Sequence, residues 1–362
     1  MRLNYKRLGD YIKEVNIRNK ENIQENLLGV SVTKEFIPSV ANTNGTDWKK
    51  YKVIMHGQFC YIPDTSRRGD KMGIALLLDR EKALVSQAYT VFEIIDQNLL
   101  LPEYLILWFK RPEFDRYARF MSHGSVREIF DWEKMCNVIL PIPDLKIQMD
   151  IVRKITIYEK MIIKYKSQNE LLSKLSNLIF SFAYSNIAKE QKTFSDFVDI
   201  VYGKGLPVSK LKSDGYYVYG GNGIIGKYSK YLYEESVNIV SCRGEKSGNN
   251  YITHRKSFIT SNSLVFKFKS SKGNQFFLKG LLDYTDLKKS VTGSAQPQIT
   301  IQNIERLLVD LPSDDTIISA IDRYLKPIWN KMLYNEAIQL SLTVNYSNYI
   351  NFNLLGGNYE SV

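Results

Sequence analysis

The sequence predicts an α+β protein: two strand-rich, mixed α/β domains separated by long antiparallel paired helices, with a pseudo-two-fold internal repeat. Three observations predict it. Residues 124–155 align with 293–324 at a constant offset of 169 and without a gap. No proline or glycine stands between Pro143 and Gly203, and apolar residues recur there in steps of four and three. The strand-like pieces CNVILPIP and ERLLVDLP each close on proline and lead into a helical pattern.

Five parts follow in order: a first domain over 1–144, a central helix over 145–191, a second domain over 192–312, a second helix over 313–345 and a flexible tail over 346–362. In the repeat, Gly124-Ser125 falls on Gly293-Ser294, Trp132 on Ile301, Met135 on Ile304, Val138 on Leu307 and Pro143 on Pro312. Shorter matches join LGDYI (8–12) to FSDFV (194–198) and SQAYTVFEI (86–94) to TSNSLVFKF (260–268). A repeat of this length is a duplicated domain, not a solenoid unit.

In the first helix the seam runs Ile151, Ile155, Tyr158, Ile162, Tyr165, Asn169, Leu172, Leu175, Ile179, Phe182, with an extra three-step after Leu172 that predicts a stammer. A helix from Lys146 to Ala188 is roughly 65 Å long and needs a second helix to cover its stripe. Ile317, Ile321, Tyr324, Ile328, Met332, Asn335 and Leu342 offer one, with a kink or late start expected at Pro327. The tail YSNYINFNLLGGNYESV shows no helical stripe.

With 44% hydrophobic and 24% charged residues, the 362-residue chain is long enough for two domains with cores of their own. It has no apolar run of membrane-spanning length, and MRLNYKRLGDYIKEV lacks the apolar stretch of a signal peptide, so a cytoplasmic location without membrane contact is expected. Cys60, Cys136 and Cys242 lie far apart, and His56, His123 and His254 show no ligand spacing, so neither a disulfide framework nor a metal site is expected. The net charge of +11 is uneven: residues 192–293 hold 16 Lys+Arg against 8 Asp+Glu, and residues 1–144 hold 21 against 19. Cations, tyrosines and Gly/Asn/Ser loops together suit a nucleic-acid surface, although such a charge also serves solubility.

One motif points elsewhere. In YGGNGIIGKY, Gly221, Gly223 and Gly226 spell GxGxxG, and Gly221 to Lys227 spell GxxxxGK. A phosphate loop needs a helix N-terminus and a hydroxyl after the lysine. Here Tyr228 follows Lys227, and KYSKYLYEES alternates like a strand. The glycines are expected to allow turns between strands and close approach of backbone to a ligand.

The order domain–helix–domain–helix, the segments YVYGGNGIIGKYSKYLYEE and IVSCRGEKSGNNYITHRKSFIT, the paired HGSVREI…LPIPD and TGSAQPQI…DLPSD junctions and the opening YKRLGDYIKEVNIRN resemble the specificity (S) subunit of type I restriction–modification systems. The resemblance implies two target recognition domains that read a bipartite, asymmetric site in double-stranded DNA. It implies helices that bind two methyltransferase (M) subunits, with restriction/motor (R) subunits joining for cleavage. It also implies no cofactor on this chain, S-adenosylmethionine being held by the adenine-methylating partners. LPSDD at the second junction and Pro327 in the second helix depart from the pattern.

Candidate DNA contacts follow from residue type. In the second domain they are Lys204 and Gly205 of VYGKGLP; Tyr219, Asn222 and Lys227 of the glycine hairpin; and Arg243 and Lys246 of CRGEKSG. In the first domain they are Arg67, Arg68 and Lys71 of the corresponding basic turn, with Asn42, Asn44, Thr46 and Lys49 in a polar loop. The two junctions add Ser125 and Arg127, and Ser294, Gln296 and Gln298. For the basic loops the plain alternative is a solvated turn, with an Arg–Glu pair in CRGEKSG; for the glycine loop it is a bare hairpin turn. For the junctions it is a turn that Ser and Gln close by bonding backbone, and a motif common to both domains favours a scaffold or phosphate role there over sequence discrimination. There is no Asn/Asp-Pro-Pro-aromatic stretch and no nuclease-like carboxylate cluster with a lysine, so no catalytic residue is assigned. The rival readings are a P-loop-like nucleotide-binding enzyme and a stand-alone nucleic-acid-binding scaffold.

Overall fold

The computed structural model describes residues 5–43, 45–65, 71–122, 128–269, 274–293 and 296–355. The chain forms two compact units, Met1–Lys160 with Thr343–Val362, and Met161–Leu342.

In the first unit, β1 (Tyr5–Arg7) pairs with β11 (Ile139–Pro141). The other strands are β2 (Ile12–Val15), β3 (Ile17–Arg18), β4 (Leu27–Val30), β5 (Phe36–Pro38), β6 (Lys52–Met55), β7 (Phe59–Tyr61), β8 (Ile74–Leu76), β9 (Lys82–Val85) and β10 (Thr90–Ile94). They form a four-stranded sheet ordered β2-β10-β7-β8 and a five-stranded sheet ordered β3-β6-β9-β4-β5. Helices α1 (Pro102–Phe109) and α2 (Pro112–Met121) both start on proline, whose missing N–H costs nothing in a first turn. Helix α3 (Trp132–Cys136) is capped by Asp131, whose carboxylate accepts from Lys134 N at 2.9 Å. Phe59 and Phe92 stack at 4.8 Å, with Phe109 edge-on to both, at the centre of the core.

Helix α4 (Leu145–Ser185) leads into the second unit. There β12 (Lys189–Thr193), α5 (Phe194–Phe197), β13 (Val198–Tyr202), β14 (Tyr216–Gly220), β15 (Gly223–Tyr228), β16 (Asn238–Ser241), β17 (Asn250–Ile252), β18 (Phe258–Ile259), β19 (Ser263–Phe268), α6 (Gln275–Tyr284), α7 (Ile301–Glu305) and β20 (Leu308–Pro312) precede α8 (Asp315–Leu355). Sheet β13-β19-β16-β17 repeats the order of the first unit's four-stranded sheet, β12-β20 repeats β1-β11, and β15-β14-β18 stands apart.

The repeat extends to single bonds. Arg7 pairs with Ile139 as Thr193 pairs with Leu308, and Ile12 with Ile94 as Val198 with Phe268. Leu8 N donates to Val138 O at 2.8 Å, and Phe194 N to Leu307 O at 3.2 Å. Thr300 caps α7 at the position where Asp131 caps α3. Apart from Arg7 and Thr193, which stand one residue ahead of the 8–12 and 194–198 match, each second-unit partner is the residue that the sequence matches place opposite its first-unit counterpart.

The paired helices depart from expectation in four ways. After Leu172 the buried positions of α4 are Ser176, Phe180 and Tyr184, while Leu175 and Phe182 face outward, 46% and 77% exposed. The step after Leu172 is therefore four, to Ser176, so no three-residue stammer is present. In α8 as far as Asn335 the buried positions are Ile318, Ile321, Leu325, Trp329 and Asn335, and Tyr324 is exposed. Pro327 neither delays nor ends α8: it lies on an exposed face, where water can satisfy the carbonyl of Arg323 that loses its donor. The stretch expected as a flexible tail from 346 is helical to Leu355, with Ile350 and Leu354 buried in the first core and Tyr346 and Tyr349 packed against it. That spacing is an amphipathic stripe hidden by intervening asparagines and serine.

Within each unit the two helices run antiparallel. Tyr346 Oη meets Glu159 Oε1 at 3.0 Å, and Lys154 lies over the Tyr349 ring at 5.6 Å. In the second unit Asn169 meets Met332 and Asn335, while Phe180 shares a core with Ile318, Ile321 and Leu325. The helices also cap their domains: Gln148 Oε1 accepts from Leu101 N at 2.9 Å ahead of α1, and Asp322 Oδ1 accepts from Phe276 N and Phe277 N of α6 at 2.8 and 3.0 Å.

Candidate nucleic-acid interface

In the second unit, separate loops are stitched into one exposed rim by backbone hydrogen bonds. The loop after β13 docks on the end of β18, Lys204 N donating to Ile259 O at 2.9 Å and Ser261 N to Lys204 O at 3.1 Å. Gly203 permits this approach, since a Cβ there would lie 2.2 Å from Thr260 O. The Ser261–Asn262 turn grips the next loop, with Cys242 N donating to Asn262 O at 3.0 Å. The CRGEKSG loop is tied in turn to the junction: Gly244 N and Ser247 Oγ both donate to Pro297 O at 2.9 Å, and Arg243 bridges Gln298.

This places Lys204, Gly205, Arg243, Lys246, Gln296 and Gln298 on neighbouring exposed positions. Among the described residues Lys204, Arg243 and Lys246 have no ion-pair partner, so the Arg243–Glu245 pair offered as the plain alternative is not formed. Unpaired cations on a rigid, amide-rich rim can meet phosphates and base edges.

The glycine hairpin joins the rim through its turn alone. Gly221 and Asn222 connect β14 to β15, and a Cβ on Gly221 would lie 3.1 Å from Ser241 Oγ and 3.4 Å from Asn262 O. Gly223 has φ +83°, a turn conformation, and a strand follows where a phosphate loop requires a helix. The nucleotide reading of GxGxxG and GxxxxGK is thereby removed.

Two hairpin candidates need correction. Tyr219 is 2% exposed, and its hydroxyl bonds His254 Nδ1 at 2.7 Å, so it belongs to a core with Val237, Ile239, Ile259 and Val265. Lys227 lies five residues beyond the turn, 5.5 Å over the Tyr217 ring, away from the rim. Strand alternation turns Tyr219 inward, and Lys227, paired with Tyr217, is carried away from the turn by its place along β15.

The first unit repeats the tie between loop and junction, although not the bond from Cys242 N to the Asn262 turn, since Pro63 stands at the matching position and has no N–H to give. Thr65 N donates to Glu128 O at 3.0 Å and Phe130 N to Pro63 O at 2.9 Å, matching Gly244 N to Pro297 O and Ile299 N to Cys242 O at 2.9 and 3.0 Å. Asp64 bridges Ile129 as Arg243 bridges Gln298. Lys71 is exposed just beyond this turn, whereas Asn42, Thr46 and Lys49 sit on a separate loop, where Asp47 caps the Trp48–Lys50 turn. Asn44, Arg67, Arg68, Ser125, Arg127 and Ser294 lie outside the described residues.

Sequence reasoning missed Asn262, which is exposed at the centre of the rim. The match of 86–94 to 260–268 contained the signal: it sets Asn262 opposite Ala88 in a turn that both units form. Among the described residues there is no group of three or more His, Cys, Asp or Glu that could hold a metal, and no helix long and apolar enough to cross a membrane.

Comparison with known proteins follows this duplicated architecture. No curated protein matches the chain. Among solved structures, the S subunit of a type I restriction–modification system from M. genitalium matches 99% of this chain and 97% of its own at 14% identity, with a TM-score of 0.64, a likeness of fold. An HsdS subunit from Thermoanaerobacter tengcongensis matches 98% and 97% of the two chains at 16% identity and TM-score 0.41. A structure described as underlying complex assembly and conformational transition of the type I R-M system matches 98% of both chains at 14% identity and TM-score 0.45. The family model of the type I restriction modification DNA specificity domain matches twice, over residues 12–173 and 186–344. With both halves of its fold and most of its length accounted for, this chain belongs to the type I restriction modification DNA specificity family, as a DNA specificity subunit built from two copies of that domain.

Proposed function

We propose that the chain directs methyltransferase and restriction subunits to a bipartite, asymmetric site in double-stranded DNA, each domain reading one half, and performs no chemistry itself. The observation that carries this is the duplicated tie between loop and junction: the same backbone bonds recur in both units and present different side chains, as readers of unlike half-sites require. In the second half-site Arg243 takes a base edge, Gln296 and Gln298 are amide readers, and Lys204 and Lys246 meet phosphates beside Gly205. Lys71 and the Asn42–Lys49 loop act in the first.

The helices offer a partner surface. Leu171, Leu175, Leu178 and Phe182 of α4 are 64%, 46%, 69% and 77% exposed, and their spacing puts them on one face. An apolar stripe of that length left in water marks an interface. We assign it to the methyltransferase subunits, which would hold S-adenosylmethionine and methylate adenine. The test is co-expression with the methyltransferase from neighbouring reading frames, followed by mapping of methylated adenines. Two short motifs at constant spacing are expected; methylation at one continuous motif, or at none, overturns the proposal.

A further inference from the structure

The two units share one framework at the rim and differ in what it carries. Tyr89 N donates to Ser86 O at 3.1 Å, and Ser263 N to Thr260 O at 3.1 Å, so residues 86–89 and 260–263 are the same turn. Its exposed third position is Ala88 in one unit and Asn262 in the other. The bridge between loop and junction carries Asp64 with Ile129 in one and Arg243 with Gln298 in the other, and in the second unit Cys242 N joins that loop to the turn. The bonds that hold these points are made by backbone, so the side chains are free to differ without disturbing the fold.

We propose that Asn262 is a specificity-determining residue that reads an adenine in the second half-site, an inference that rests on the DNA-recognition reading above. Its main chain is fixed on both sides, Cys242 N donating to Asn262 O and the adjacent Ser261 N to Lys204 O. Its carboxamide is exposed and has no partner among the described residues, so it supports nothing within the chain. Such a group is held in place without being used, as preorganised recognition requires. A carboxamide spans the adenine edge in the major groove, Oδ1 accepting from N6–H and Nδ2 donating to N7. Lys204 and Arg243, on the loops bonded to this turn, supply the cations that hold a duplex there. Ala88 offers neither donor nor acceptor, so the first half-site has no equivalent requirement.

The experiment is selection from randomised duplexes by the full chain co-expressed with its methyltransferase subunits, comparing wild type with Asn262→Ala and Asn262→Asp. The wild type should select two motifs. Asn262→Ala should lose an adenine preference of about 5- to 150-fold at one position of one motif, with an unchanged salt slope, first motif and melting temperature. Asn262→Asp, which only accepts, should shift that position toward cytosine. A wild-type motif kept intact by Asn262→Ala overturns the inference alone, as does a uniform loss of affinity with a flatter salt slope, which marks a phosphate contact. No motif from the wild type overturns the recognition reading as well.

Discussion

Asn335 donates from Nδ2 to Asn169 Oδ1 at 2.9 Å, and Asn169 donates in turn to Met332 O at 3.0 Å. Asn335 is fully buried where an apolar residue would normally sit between two helices. Truncating one member strands the other. Asn335→Ala should therefore cost about 1–3 kcal/mol in urea unfolding of the second unit. Asn169→Leu with Asn335→Leu should recover most of that loss, because two apolar groups leave no buried amide unpaired.

Phe180 fills the space that a side chain at Gly280 would occupy: a Cβ there would lie 2.3 Å from Cδ2 of the Phe180 ring, which is 2% exposed. Glycine-to-alanine in a helix interior ordinarily stabilises by about 1 kcal/mol. Here overpacking should reverse the sign, and Gly280→Ala should lose about 1–3 kcal/mol by thermal melting. Adding Phe180→Leu should relieve the clash.

Lys34 and Asp115 form a nearly dry ion pair in the first unit, their side chains 3% and 12% exposed, and Asp115 also accepts from Met72 N at 3.0 Å. Burial lowers the Lys34 pKa against the pull of Asp115. Asp115→Ala leaves an ammonium without its counter-charge and should destabilise the first unit by about 3–5 kcal/mol in denaturant unfolding. Lys34→Met with Asp115→Leu should be much milder.

His254 fastens the β14 strand to α8, its Nε2 donating to Leu333 O at 2.9 Å and its Nδ1 accepting from Tyr219 Oη. Burial pushes its pKa below the ordinary 6.5, outweighing the Leu333 carbonyl. The unfolded chain then takes up a proton near 6.5 and the folded chain only at lower pH, so stability is full above that value and falls as pH drops through it. Glu336, 3.6 Å from Nδ1, is raised by burial and works in the opposite sense from its ordinary 4.5 upward. Melting temperature of the second unit should decline from about pH 7 to about pH 5.5. His254→Gln should flatten that decline, and Glu336→Gln should steepen it.

At the rim, Arg243→Ala should cost about 1–3 kcal/mol in DNA binding and relax the sequence at one position. Lys246→Ala and Lys204→Ala should weaken binding evenly across sequences and reduce the salt slope by about one each. Filter binding at several salt concentrations separates the two classes. A variant with unchanged affinity and slope removes that residue from the interface.

Legibility in the sequence varied with how local the cause was. Proline-closed strands and the turn between the hairpin strands are set by neighbours a few residues away and could be read directly. Tyr219 and Asn262 could not be ranked that way: one is a tyrosine in a basic segment that the hairpin turns inward, the other an ordinary asparagine that two distant loops hold outward.

By itself the sequence determined the duplication, the strand-rich domains, the long helices and the basic second half, because periodicity, turn residues and internal offsets are properties of the chain alone. Only the tertiary structure decided which helix face each core covers, how far α8 extends, and which loop residues meet at the rim. Those outcomes depend on bonds between residues far apart in sequence: Cys242 with Asn262, Gly244 with Pro297, Arg111 Nη1 with Leu354 O at 3.3 Å. No local pattern encodes them.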